Sequence, residues 1–127
     1  MTSDAPLILL AEDNLSIAKA TVNYLRAFNF DVISVANGRS AIETAKQQSP
    51  DLILMDIQMP EVDGLEAIRQ IRKIPDHRET PIIALTGLAM RDDANKCIAN
   101  GATSYISKPY SMKQLVRLMQ ELLPTPA

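Results

Sequence analysis

Apolar residues recur along this chain in two rhythms. Leu7-Ile8-Leu9-Leu10-Ala11, Leu52-Ile53-Leu54-Met55 and Pro81-Ile82-Ile83-Ala84-Leu85 are unbroken apolar runs. Each is too short for a helix of its own and reads as a strand buried on both faces of a sheet. Phe30 to Val35 alternates loosely and carries β-branched residues, which predicts a strand nearer an edge. Thr103 to Ser107 predicts a short last strand. Between these runs the apolar positions take helical spacing. The first stripe is Ile17, Thr21, Tyr24, Leu25 and Phe28, with Lys19, Asn23 and Arg26 lying off it. Ala41, Ile42 and Ala45 mark a second helix. Leu65, Ile68 and Ile71 mark a third, with Arg69, Arg72 and Lys73 expected on its wet side. Ala94, Cys97 and Ile98 are expected to face inward from a helix over about Met90 to Ala99. Leu115, Leu118, Met119 and Leu122 mark the last.

Punctuation supports this division. Asn14 and Ser111 are predicted helix N-caps. Asn29, Ser49-Pro50, Pro75 and Asn100-Gly101 read as stops, and Asn37-Gly38 as a turn or cap. Asp76 to Thr80 reads as a polar loop, where the single histidine, His77, is expected to be solvated. Pro124 and Pro126 are expected to end the order. Five strands alternating with five helices predict an α/β fold: a mostly parallel, doubly wound sheet with helices on both faces. The runs starting at Leu7 and Leu52 are expected at its centre. The chain reads as one domain over 1–127, with its core at about 7–123.

Composition narrows the function. At 127 residues, 46% hydrophobic and 22% charged, the chain can bury a full core without staples. A net charge of −2 gives nothing to neutralise a run of phosphates, so direct nucleic-acid binding is not expected. One cysteine, Cys97, excludes an internal disulfide and a cysteine-based zinc cluster, and reads as a small buried residue. No apolar run reaches the roughly 20 residues needed to span a bilayer. The first residues, Met1-Thr2-Ser3-Asp4-Ala5-Pro6, lack the basic and apolar regions of a signal peptide. A cytoplasmic protein is expected.

Parallel strands bring their carboxyl ends to one rim, where open α/β sheets place their chemistry. That rim would gather Glu12 and Asp13, Asp56, Thr86 and Lys108. Three clustered carboxylates repel one another and raise one another's pKa. A hard cation with oxygen ligands relieves this, and Mg²⁺ suits one or two carboxylates with waters and a phosphate. Asp56 could then act as a nucleophile toward phosphorus, with Lys108 beside the phosphoryl oxygens. Thr86 would offer them a hydrogen bond, and the Gln58 backbone carbonyl could serve as a metal ligand.

These pieces resemble the receiver domain of two-component response regulators, over about Leu7 to Leu123. The matching motifs are Ala11-Glu12-Asp13-Asn14, Asp56 through Met59-Pro60 and Asp63-Gly64, Ala84-Leu85-Thr86, Gly101-Ala102 and Lys108-Pro109. The resemblance implies a flavodoxin-like fold with strand order 2-1-3-4-5. It implies that Asp56 is the phosphoacceptor, that Glu12 and Asp13 hold Mg²⁺, and that Thr86 and Lys108 contact the phosphoryl group. It makes Tyr105 an aromatic switch position and Lys108–Pro109 a cis bond. Thr86 is followed by Gly87, where the family often has alanine, which implies wider access and a looser loop. Gln58 and Leu88 flank the site where receivers vary.

The family reading implies a histidine kinase or histidine phosphotransfer partner, docked on the helix from Ile17 to Phe28. The Ala-Glu-Asp-Asn and Asp-Ile-Gln-Met-Pro spellings resemble receivers attached to hybrid histidine kinases. No output domain is read after Leu123, so a stand-alone receiver and a receiver from a larger chain both stay open. So does a homodimer formed on phosphorylation. Two other functions compete. An aspartyl-phosphate phosphatase of the haloacid dehalogenase type needs an acid–base Asp two residues after the nucleophile, where this chain has Gln58. A receiver-like interaction module that is never phosphorylated would not need the full set of acids, Thr86 and Lys108.

Overall fold

Unbroken apolar runs have to be covered on both faces, and the computed structural model covers them with two helical layers. It describes residues 5–59, 63–87 and 91–123. The strands are β1 (Leu7–Ala11), β2 (Asp31–Val35), β3 (Leu52–Asp56), β4 (Ile82–Thr86) and β5 (Ser104–Ser107). The helices are α1 (Leu15–Ala27), α2 (Gly38–Gln48), α3 (Gly64–Arg72), α4 (Arg91–Ala99) and α5 (Met112–Leu122). All strand pairs are parallel and the order is 2-1-3-4-5. β1, β3 and β4 are central, and β2 and β5 form the edges.

Alternation along the central strands divides the core in two. Leu9, Ala11, Ile53, Met55, Ile82 and Ala84 point to one face, with Ala41 and Ala45 of α2, Ala67, Ile68 and Ile71 of α3, and Cys97 of α4. Ile8, Leu10, Leu52, Leu54, Ile83 and Leu85 point to the other, with Ala18 and Leu25 of α1 and Leu115, Val116 and Met119 of α5.

Local signals fix the ends. Asn14, Asn37, Asp63 and Ser111 cap α1, α2, α3 and α5, each accepting a backbone N–H three residues on. Ser111 and Gln114 complete a reciprocal capping box. Asn29 and Ser49 take left-handed backbone after α1 and α2, and Gly101 does so after α4.

Several expectations are corrected. The buried face of α1 is Ala18, Thr21 and Leu25, whereas Ile17 and Phe28 are exposed. Small Ala18 lets the helix approach the sheet, so its stripe is rotated from the one the larger residues suggest. Ile98 of α4 likewise faces out, while Cys97 is buried. A 3₁₀ turn, Pro75–His77, replaces the start of the expected polar loop. His77 is buried, not solvated. Its Nε2 donates to the Ala45 carbonyl at 2.7 Å. Its Nδ1 meets the Thr80 hydroxyl at 2.7 Å.

Arg72 leaves the wet side of α3. Its Nε donates to Gly101 O at 2.8 Å, and Nη1 donates to His77 O at 2.8 Å and Thr80 O at 2.6 Å. Its Nη2 reaches the Thr103 hydroxyl at 3.1 Å. The planar fork satisfies three carbonyls from two connections at once, the α3–β4 segment and the turn into β5. Pro60, Glu61 and Val62 of the loop after Asp56, Leu88, Met90, Pro124 and Pro126 lie outside the described residues.

Candidate functional site

Three central strands end at one rim, and each ends in a polar residue. β1 runs into Glu12, β3 ends in Asp56 and β4 ends in Thr86. Each of these three residues is only 2% exposed. Glu12 is held by the strand pattern, since its N–H donates to Val35 O at 3.0 Å. Asp13 follows it and is exposed. Register places Asp56 beside Leu85, so Thr86 lies one residue further along the adjacent strand. Lys108 follows β5, and its N–H donates to Thr86 O at 2.7 Å. The Lys108–Pro109 bond is cis.

The Asp56 carboxylate is oriented by two donors. Gln58 N–H donates to Oδ1 at 3.0 Å and Lys108 Nζ donates to Oδ2 at 2.9 Å. Glu12 Oε2 accepts the Asn14 N–H at 3.2 Å. Glu12 Oε1 is buried without a hydrogen bond, facing Lys108 Nζ at 3.5 Å. Carboxylate oxygens of Glu12, Asp13 and Asp56 all lie within 4.8 Å of one another. Buried negative charge in so small a volume has a cost, and it appears at Glu12. Burial first, then the Asp56 carboxylate, raise its pKa to about 7. Burial opposes the charge on Lys108, but the hydrogen bond to Asp56 and the charges of Asp56 and Glu12 outweigh it and raise its pKa.

Glu12, Asp13, Asp56 and Lys108 are therefore brought together, with Thr86 on the neighbouring strand end. Gln58 stands two residues past Asp56 and is exposed. Tyr105 lies outside the cluster. It sits in β5 opposite Ala84 and is 43% exposed.

Sequence reading missed two contributors. The backbone of Asn14 serves Glu12 while its side chain caps α1. Tyr110 is half-buried close enough to Lys108, Glu12 and Asp56 to feel their charges, and burial lifts its phenol above the ordinary range. Its position directly after Lys108-Pro109 was the available signal.

The donor set suits a small hard cation. All the converging ligand atoms are oxygens, and the buried Glu12 Oε1 lacks a hydrogen bond.

Comparison with known proteins agrees with this geometry. The polar-differentiation response regulator DivK of Brucella anthropi is 35% identical over 116 residues, covering 91% of this chain and 94% of its own. The receiver domain of sensor histidine kinase PA1611 of Pseudomonas aeruginosa is 37% identical with a TM-score of 0.84, covering 93% of this chain and 97% of that one. That structure is described with a magnesium ion coordinated in its active-site cleft. The chemotaxis protein CheY4 of Vibrio cholerae is 28% identical with a TM-score of 0.89, covering 94% of this chain and 99% of that one. The model of the response regulator receiver domain matches residues 8–120, and the chain belongs to that family of two-component signalling domains.

Proposed function

We propose that Asp56 accepts a phosphoryl group from a phosphohistidine on a histidine kinase or histidine phosphotransfer domain. Glu12, Asp13, Asp56 and the Gln58 backbone carbonyl are the residues that would hold Mg²⁺. The observation that carries this reading is the state of Asp56. Its carboxylate is almost wholly buried, is fixed by Gln58 N–H and Lys108 Nζ, and shares a 4.8 Å cluster with two further carboxylates. A merely structural aspartate gains nothing from two acidic neighbours.

A carboxylate oxygen of Asp56 forms the new P–O bond as the P–N bond breaks, and the departing imidazole nitrogen keeps the electron pair. Mg²⁺, when bound, neutralises charge on the phosphoryl oxygens. The Lys108 ammonium orients the nucleophile beforehand and pairs with a phosphoryl oxygen afterwards, and Thr86 offers its hydroxyl to another. In this reading Tyr105 is the switch: its exposed ring moves inward as Thr86 turns toward the phosphoryl group, reshaping the surface of α4, β5 and α5.

The chain acts as a cytoplasmic acceptor with only slow self-catalysed turnover, and not as an enzyme on an external substrate. Mass spectrometry after acetyl phosphate and Mg²⁺ tests the acceptor. The native chain is expected to gain one phosphoryl adduct and Asp56→Asn none. An adduct retained in Asp56→Asn overturns the assignment.

A further inference from the structure

Gly64 opens α3 with no room for a side chain. A Cβ there would overlap the Asp56 carbonyl oxygen. It would also lie 2.6 Å from Ile57 Cα and 3.0 Å from the Asp56 carbonyl carbon. Cβ atoms essentially never come closer than 3.0 Å to such neighbours. The Ile57 contact alone, 2.6 Å against 3.0 Å, would force 0.4 Å of separation. These are backbone atoms, so none can rotate aside.

The requirement is steric. Among the described glycines only Gly101 has a positive φ, so Gly64 is not needed for an unusual backbone angle. Nor is crowding general around the site. At Gly87 a Cβ would meet only the Gln58 side-chain oxygen, at 3.4 Å.

Both sides of the Gly64 contact are held. Gly64 N–H donates to Ile57 O at 3.1 Å, and Ile57 N–H donates to Leu85 O at 3.0 Å. The Asp63 side chain caps the helix through Glu66 N–H at 2.9 Å. Ala67, Ile68 and Ile71 bury the helix against the sheet. The peptide after Asp56 is thus clamped between β4 and the first turn of α3. The next N–H along, that of Gln58, grips Asp56 Oδ1. Any displacement of this peptide turns the carboxylate.

We infer that Gly64 is a positioning residue for Asp56: by letting α3 start in contact with the Asp56–Ile57 peptide, it sets the direction in which the carboxylate faces. This rests on the reading of Asp56 as phosphoacceptor.

The test compares Gly64→Ala with Ala45→Gly, a buried α2 position remote from the rim. Amide NMR of Gln58 reports the grip on Asp56, and acetyl phosphate kinetics report the chemistry. Gly64→Ala is expected to move the Gln58 resonance and slow phosphorylation on the order of ten-fold, as sub-ångström misplacement does. Ala45→Gly is expected to lose stability while leaving both readouts unchanged. Should Gly64→Ala not fold, Asp63→Ala replaces it. That variant loosens the first turn without adding an atom and is expected to move both readouts in the same direction. A Gln58 amide and a rate that match the native protein in the folded variant overturn the positioning role. A native chain that takes up no phosphoryl group defeats the acceptor reading instead, and the Gln58 amide then decides the positioning role alone.

Discussion

In the proposed Mg²⁺ site, protons and the cation would compete for the same oxygens at Glu12. Its pKa of about 7, raised first by burial and then by Asp56, sets the direction of a pH effect. Below that value Glu12 carries a proton and is a poor ligand. Above it the carboxylate is free to bind. Mg²⁺ affinity is therefore expected to rise about ten-fold from pH 6 to pH 8, measurable by calorimetric titration. An affinity flat across that range would overturn this linkage between Glu12 protonation and metal binding. The linked stability runs the other way. Between the ordinary value of 4.5 and about 7, the folded state binds more protons than the unfolded chain. This group therefore makes the metal-free protein less stable as pH rises through that window.

Arg72 serves the opposite rim. Replacing it by methionine keeps the aliphatic stem and strips donors from three carbonyls and the Thr103 hydroxyl. The expected loss is about 3 kcal/mol in urea unfolding, with lysine recovering little because it lacks the fork. A loss below about 0.5 kcal/mol, the scale of an ordinary surface change, would mean that these bonds contribute nothing net. Arg72 and His77 also mark what sequence could not disclose. Both stand among charged neighbours, where a solvated residue is the usual reading. Most of their partners are backbone carbonyls, which carry no signature in the side-chain sequence. The acidic and basic residues of the active rim were legible because strand ends gather them by topology alone.

Along α1 the misread stripe has a functional consequence. Ile17 was expected inside and is 42% exposed, and Leu15 is 74% exposed. The helix thus presents apolar side chains beside Ala20, which is also exposed. This is the face expected to receive the phosphodonor. Ala20→Glu is expected to slow transfer from the cognate donor, on the order of ten-fold through the association rate, while leaving acetyl phosphate labelling unchanged. Equal rates with the cognate donor would move the docking face elsewhere. The elements themselves were readable for local reasons. Caps at Asn14 and Ser111 and stops at Asn29 and Gly101 act through nearest neighbours. Rotation of a helix about its axis was less readable, because small Ala18 buries as readily as a large residue.

Strand order depends on which helix covers which face. The alternation of strands and helices specified a parallel, doubly wound sheet, and the runs starting at Leu7 and Leu52 marked two of its three central strands, β1 and β3. The loose alternation of β2 marked one edge, whereas the central place of β4 and the edge place of the four-residue β5 followed only from the strand order that the family resemblance implies. The reactive rim and the Arg72 rim lie at opposite ends of this sheet, and α3 touches both: Gly64 abuts the Asp56 backbone and Arg72 binds the turn into β5.

Cys97, the chain's one cysteine, is 1% exposed and packed under α4. Its thiol is thus a native clock. A thiol reagent in folded conditions reacts only when α4 lifts from the sheet, so the labelling rate counts those openings. No engineered probe is needed to time the helix beside the proposed switch.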